Sequence, residues 1–333
     1  MKYILNETPV RTSNNYKINN IEVEMDIPSI KSFSKYSVDG ISYKETDDKN
    51  FESRIGLSFE KYHKLDIDIT NEKNINILYD IVEDILVDNI NINLAENSDS
   101  VINIKYESHS NINHHMKLVI NGGRNSKAII NFINILSSDS KNFVAIEKNL
   151  DTHAFAEVNY IDFSGGLRVI NYYSSLIGIE AKSIFNNIYI GKNEERIDMN
   201  YYAGCIGEKT TGIINVCGAL TDTAYKTFKG TIDFIEGSKK SVGKEKENVI
   251  LLSDTCKSRS LPILLCHEED VEGAHGIATG KIDKEKLFYL MSRGMDEVEA
   301  KKLIIKSNFN YVIDKLDENI KELILKEIDN LFL

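Results

Sequence analysis

The chain of 333 residues is long enough for a large hydrophobic core with an appended element. Because 51 Asp and Glu outnumber 40 Lys and Arg, the net charge is −11, which would repel phosphate backbones and argues against nucleic acid as a partner. No apolar run reaches the roughly 20 residues that span a bilayer, and no signal-peptide pattern is visible, so we expect a cytoplasmic protein without membrane contact.

Residues 1–75 mix strand-like and helix-like patterns and are predicted to form a small N-terminal α/β segment. The polar run 45–50 predicts an exposed loop within it. Residues 76–87 fit a helix or a strand equally well, because their apolar positions suit both periodicities.

Residues 76–282 are predicted to form an all-β body. Runs such as 101–106, 128–135 and 157–163 alternate apolar with polar residues, as strands with one buried face do. A sandwich, a barrel and a parallel solenoid all fit this texture, although Asn-rich strand ends and Gly-punctuated turns are compatible with a β-helix. The basic run 239–246, interleaved with Glu245 and Glu247, is interpreted as a solvated turn.

Residues 283–333 are predicted to form a C-terminal helical domain. Asp283 suits the N-cap of a helix that ends at Arg293, with Gly294 as its left-handed C-cap residue. Asp296 and Glu299 have the spacing of a capping box at the start of a second helix. One apolar stripe of the last segment needs burial, either on the neighbouring helices or on the end of the β body: Ile320, Leu323, Ile324, Ile328 and Leu331.

The four cysteines, at 205, 217, 256 and 266, include no Cys-x-x-Cys pair, so a metal site would have to combine distant residues. The sequence also lacks a G-x-x-x-x-G-K-[ST] loop, a G-x-S-x-G elbow and an H-E-x-x-H motif, which argues against an ATPase or a common hydrolase. A rival hypothesis is a polysaccharide-acting β-helix enzyme, often calcium-dependent, with paired carboxylates. Its candidate acids are Asp162, Asp198, Asp222 and Asp233.

Three motifs carry a family resemblance. The stretch 270–283 (DVEGAHGIATGKID) runs into the helix that ends at Gly294, and it follows Phe228-Lys-Gly230 and Leu251-Leu-Ser-Asp254. From about residue 200 to 310 the chain resembles the SufB/SufD family, which acts in SUF iron-sulfur cluster assembly with an ABC-type ATPase, SufC. The resemblance implies a right-handed parallel β-helix core. It also implies a non-enzymatic scaffold or scaffold partner, with ATP bound and hydrolysed only by the ATPase.

The resemblance also implies a site at Cys256 and His275, where a transient iron-sulfur cluster is the expected cofactor. Imidazole and thiolate are both suitable iron ligands. Ala274 and Gly276 replace the glutamates that flank the histidine in the SufB branch, while Cys256 is SufB-like. The chain is therefore a hybrid, and a SufD-like structural subunit without a bound cluster stays an alternative, as does an inert buried Cys256.

The implied partners are a SufC-like ATPase and a second SufB-like or SufD-like subunit, or a second copy of this chain. In the family the C-terminal helical element carries much of the ATPase docking surface, so part of residues 284–310 is expected to face a partner, whereas the terminal helix is mainly structural. The candidate docking residues are Leu287, Phe288, Tyr289, Arg293, Gly294 and Leu303.

The remaining candidates are interpreted as structural. Cys266 is expected in the core, and His114 with His115 is expected on the solvated surface of a polar loop. Cys205 and Cys217 are also interpreted as structural residues, with a cluster or sulfur-transfer role as the alternative.

Overall fold

The computed structural model describes residues 1–11, 17–26, 35–71, 73–82 and 84–331. The chain is mainly β, with 57% strand, and forms a parallel β-solenoid of about eight turns followed by three C-terminal helices. This confirms the β-helix expectation over the sandwich and the barrel. Among the described residues no helix is both long and apolar enough to cross a membrane.

Two nine-stranded sheets form the walls of the solenoid. In spatial order, sheet 1 contains β20 (Val271–Lys281), β18 (Ser241–Leu251), β16 (Thr211–Leu220), β14 (Lys182–Gly191), β12 (Phe155–Asp162), β10 (Lys127–Ile135), β8 (Asp99–Ser108), β6 (Lys73–Ile81) and β3 (Lys35–Asp39). Sheet 2 contains β19 (Lys257–Cys266), β17 (Tyr225–Phe234), β15 (Arg196–Cys205), β13 (Leu167–Leu176), β11 (Lys141–Leu150), β9 (Asn113–Gly122), β7 (Ile85–Leu94), β5 (Ser58–Ile69) and β4 (Lys44–Glu52).

Each turn of the solenoid repeats the same side-chain positions. Lys127 pairs in register with Asp99 and with Phe155, which is 28 residues away in either direction. Inward positions stack apolar side chains between the sheets, as Ile102 and Ile130 do. An outward position of sheet 1 carries an asparagine ladder in which each amide donates to the next at 2.8 to 3.0 Å. Its members are Asn76, Asn103, Asn131, Asn159, Asn186 and Asn215.

The two ends of the solenoid differ. At the N-terminal end β3 pairs antiparallel with β6, and β4 pairs antiparallel with β5, so the parallel stack ends there in two antiparallel edge strands. At the C-terminal end β19 and β20 are the last strands of their sheets, and no strand of the described residues pairs with their outer edges. We call this the open end. It presents unpaired backbone N–H and C=O groups.

Helices cover the outer face of sheet 1. Helix α2 (Glu297–Ile313) and helix α3 (Glu318–Asn330) form an apolar cluster with sheet residues such as Ile161 and Ile188. Ile324 and Ile328 of the predicted stripe are fully buried in it. The stripe therefore packs on helices and on a sheet face, whereas the end of the β body stays open.

The outer face of sheet 2 is covered by the N-terminal hairpin of β1 (Lys2–Leu5) and β2 (Ile21–Glu24). Asn6 follows β1 and lies over a buried ion pair, in which Lys229 Nζ contacts Asp198 Oδ1 at 2.7 Å. The Asn6 side-chain amide donates to the same carboxylate at 2.7 Å, and the Asn6 backbone carbonyl accepts from Lys229 at 2.9 Å. The residue after β1 thus adds hydrogen bonds to both members of this ion pair.

Several local predictions can be judged directly. The predicted caps are confirmed: Asp283 caps helix α1 (Lys284–Ser292), Gly294 has φ +98°, and Asp296 with Glu299 forms a capping box. The loop expected at 45–50 was wrong, since these residues belong to β4, although most are exposed. Of residues 76–87, positions 76–81 belong to β6 and positions 85–87 to β7, so this stretch contributes strands. Strand β6 crosses the boundary expected near residue 75.

Candidate functional site

His275 lies in the middle of β20, the edge strand of sheet 1 at the open end, and its side chain is exposed. A Cβ added at the neighbouring Gly276 would have no atom within 4 Å, so the backbone around the imidazole is open to solvent or to a partner. In the parallel ladder His275 is in register with Glu245 of β18. Register neighbours on parallel strands point to the same face, so the imidazole lies on the side of the solenoid interior.

Cys256 immediately precedes β19 and is only 7% exposed. Its Sγ lies within hydrogen-bond distance of two backbone carbonyl oxygens, Ser253 at 3.2 Å and Leu220 at 3.5 Å. The sulfur belongs to the core between the sheets. As a ligand it would have to exchange these backbone contacts for a metal or for sulfur.

The structure does not bring Cys256 and His275 together within one chain. Lys281, at the end of β20, forms an ion pair with Asp254 and so marks the edge of the sheet next to Cys256. His275 lies six residues before Lys281, which at about 3.3 Å per residue is roughly 20 Å. The two side chains could therefore meet only across a pairing of two chains.

A buried polar cluster lies behind His275. Glu247 accepts from Lys226 and from Ser260, and all of these groups are at the inner side of the last turns. Glu245 is 2% exposed, and neither carboxylate oxygen has a hydrogen-bond partner. Burial, with Glu247 nearby, raises the pKa of Glu245 to about 8.

Glu245 fits into a space left by a glycine. A Cβ on Gly230 of β17 would lie 2.3 Å from the Glu245 carboxyl carbon. The solvated turn expected at 239–246 was therefore wrong from Ser241 onward, since β18 begins there and both glutamates point inward. The alternation of Lys244 and Lys246 with these glutamates was the available signal, but it does not say which of the two sets is buried.

Most of the predicted docking residues are exposed. Helix α1 buries none of its residues, and Phe288 and Tyr289 are 74% and 56% exposed. The Arg293 guanidinium lies 5.3 Å from the centre of the Tyr289 ring. Leu303 on α2 is also largely exposed, whereas Leu287 is half-buried.

The expectation for His114 and His115 was wrong, because both are buried in β9. His114 lies inside, with Nδ1 2.9 Å from Asn142 Oδ1. His115 lies on the outer face, where its ring stacks on Phe143 at 4.6 Å, and burial lowers its pKa to about 3.

The other three cysteines differ in solvent exposure. Cys266 was expected in the core but is exposed, because β19 is the edge strand of its sheet. Cys205 and Cys217 are buried, and burial raises the pKa of Cys217 to about 12. Among the described residues no three His, Cys, Asp or Glu side chains are grouped closely enough to hold a metal ion.

The acids of the rival enzyme hypothesis are dispersed. Asp162 is buried in β12 of sheet 1 and lies 3.9 Å from Arg168, while Asp198 is paired with Lys229 in sheet 2. Asp222 lies in a turn, and Asp233 accepts from Tyr202. These carboxylates do not form a pair on one solvent-facing ladder, which removes the sequence basis for that hypothesis.

Comparison with known proteins gives a consistent result. The family model for the SUF system FeS cluster assembly SufBD core domain matches residues 79–308, more than half of the chain. The iron-sulfur cluster assembly protein SufD of Bacillus subtilis is 29% identical over 143 residues, 43% of this chain and 33% of that protein. A SufBD family protein of Pyrococcus horikoshii is 33% identical over 121 residues, 36% of this chain and 27% of the relative. Escherichia coli SufD is 30% identical over 110 residues, with 33% and 26% covered. The matched segments span a third or less of these relatives.

Proposed function

The chain belongs to the SufB/SufD family, and from that premise we propose that it is an assembly component of the SUF pathway, which builds iron-sulfur clusters. The core-domain match over residues 79–308 is the observation that carries the proposal, and the names of the relatives agree with it. The chain acts as a scaffold or as the partner of a scaffold. It does not act as an enzyme, and ATP is hydrolysed by a SufC-like ATPase.

The open end is the proposed meeting point with a second β body, either a SufB-like or SufD-like subunit or a copy of this chain. The unpaired edges of β19 and β20 can extend both sheets across such an interface. A two-fold arrangement would bring His275 of one chain toward Cys256 of the other, which a single chain cannot do. The nascent cluster is the cargo of this interface, with these two residues as its ligands.

Helix α1 is the proposed dock for the ATPase. Phe288 and Tyr289 are large aromatic side chains that stay mostly exposed, and exposed aromatic residues next to an Arg are typical interface anchors. Helices α2 and α3 are bound to sheet 1, so force from the ATPase could reach the solenoid through them.

A SufD-like structural subunit without a cluster is the second candidate. The burial of Cys256 and its two backbone contacts favour this alternative, because they leave the thiol inaccessible in the isolated chain. The two candidates share partners and differ in whether Cys256 becomes a ligand.

The test is anaerobic co-expression with the SUF-type ATPase of the same organism, followed by measurement of co-purified ATPase, iron and acid-labile sulfide. Near-stoichiometric iron and sulfide that are lost in Cys256→Ala would support the scaffold. ATPase without iron in either protein would support the structural subunit, and the absence of any bound ATPase would refute the docking proposal.

A further inference from the structure

A basic cleft lies where the N-terminal hairpin meets sheet 2. Its volume is about 440 Å³, and it is lined by Arg11, Lys17, Asn19, Asn20, Glu22 and Arg196. Small-molecule sites in proteins typically have volumes of a few hundred Å³. Helices α2 and α3 pack on sheet 1, so the cleft lies on the other wall of the solenoid.

The charges that line the cleft are mostly positive, although the chain as a whole has a net charge of −11. The acid of the lining, Glu22, forms an ion pair with Lys2 at 2.7 Å, so this carboxylate already has a cation. Arg11 contacts Glu7 at 2.8 Å in an exposed pair. Such surface pairs contribute little to stability, so a ligand can replace Glu7 as the partner of Arg11 at low cost.

Lys17 and Arg196 are the cations of the cleft that have no acidic partner. Neither forms an ion pair with the described residues, and both side chains are exposed. Lys17 has φ +49°, a backbone conformation that is uncommon for a residue other than glycine and that costs free energy. Like charges on the walls of one cleft repel each other, and a bound anion would offset that repulsion.

Buried polar contacts hold the walls of the cleft in place. The Asn171 side chain of sheet 2 donates to Asn6 at 2.9 Å, and Asn6 donates to Asp198 near the start of β15. Thr8 donates to Asn19 twice, through its backbone N–H at 2.8 Å and its hydroxyl at 3.2 Å. The cleft is therefore formed before a ligand binds, which reduces the entropy that is lost on binding.

We propose that this cleft binds a small phosphate-bearing molecule, with Arg11, Lys17 and Arg196 as the cations that contact its phosphate oxygens. The guanidinium fork of arginine matches two phosphate oxygens, and lysine adds a further positive charge. The acidic chain would repel a long phosphate polymer, so the ligand is a free small molecule. The site goes beyond the proposed role in cluster assembly, because it involves neither the open end nor helix α1.

The experiment is a calorimetric titration of the purified full chain with inorganic pyrophosphate as the probe. Wild type is compared with Arg196→Gln and Lys17→Gln, each of which removes one positive charge from the cleft. The matched control is Arg124→Gln, which changes the net charge equally at an exposed arginine in the turn before β10. Malonate, a dicarboxylate, is titrated into the wild type to separate phosphate binding from general anion binding. Circular dichroism of every variant verifies the fold.

We expect the affinity for pyrophosphate to fall at least about tenfold in Arg196→Gln and in Lys17→Gln, because each loses a charge-assisted hydrogen bond. The affinity should stay within about twofold in Arg124→Gln, and malonate should bind more weakly than pyrophosphate. No pyrophosphate binding by the folded wild type, unchanged affinity in either cleft variant, or an equal loss in Arg124→Gln would each overturn the proposal. Malonate binding as tight as that of pyrophosphate would overturn the assignment of phosphate as the ligand group.

Discussion

Lys148 offers a direct test of how the solenoid interior treats charge. Its side chain is fully buried, and the ammonium donates to the carbonyl oxygens of Ala156 at 2.8 Å and Ile184 at 3.2 Å. No carboxylate of the described residues forms an ion pair with it. Burial lowers the pKa of Lys148 from 10.5 to about 7, although Glu157 opposes the shift. The perturbation is Lys148→Met, which keeps a long side chain and removes the charge.

The expected effect is a change in pH dependence. Between pH 7 and pH 10.5 the folded state binds fewer protons than the unfolded chain, so the wild type gains stability as the pH rises through this window. At about 1.36 kcal/mol per pH unit, the two units from pH 7 to pH 9 correspond to about 2.7 kcal/mol. The stability advantage of the Met variant should therefore shrink by about that amount between pH 6 and pH 9.

Urea unfolding followed by circular dichroism at pH 6, 7, 8 and 9 measures this difference. The matched control is Lys127→Met, which makes the same substitution at an exposed lysine at the start of β10. A constant difference between Lys148→Met and wild type across the series would refute the reasoning. It would mean that the Lys148 amine keeps its proton in the folded state or stays hydrated there.

Three further predictions concern the pair on sheet 2, the docking helix and its neighbour. Lys229→Met leaves the Asp198 carboxylate buried without its cation, so we expect a loss of about 3–5 kcal/mol in urea unfolding, and a loss below about 1 kcal/mol would contradict the buried pair. The double change Phe288→Ala and Tyr289→Ala removes exposed side chains, so the thermal midpoint should stay constant. Recovery of the ATPase on co-purification should fall, and unchanged recovery would exclude α1 as the docking site. Asp296→Ala removes a capping box and should cost about 1 kcal/mol in thermal unfolding, whereas Asp296→Asn should retain most of it; equal losses would show that the side chain acts by charge alone.

The sequence was most informative where the pattern is local. The caps at Asp283 and Asp296 were predictable because a helix start depends on residues within one turn. The β texture was also readable, but the choice of a solenoid depended on the family resemblance. Pairing partners lie about one turn of the solenoid apart, as Lys127 and Asp99 do, so no short window contains them.

The errors have a common physical cause, which is burial decided by distant segments. His114 and His115 are adjacent and point to opposite faces, and both are buried because sheet 2 is covered on both sides at that point. Cys266 is exposed, in contrast, since no strand among the described residues extends its sheet beyond β19. Glu245, like the two histidines, is buried where the sequence predicted exposure. Its burial depends on Gly230, which lies on a different sheet.

The two ends of the solenoid offer different edge strands to a second copy of the chain. If two copies join by their open ends, the free edges of β19 and β20 are paired on both sides, and the outward ends of the pair are the antiparallel edge strands β3 and β4. A head-to-tail stack, which would grow into a fibre, would instead have to join β19 and β20 to β3 and β4, which run opposite to the other strands of their sheets. Joining by the open ends would therefore give a closed pair with two-fold symmetry, whereas head-to-tail joining would leave one free end of each kind on every assembly.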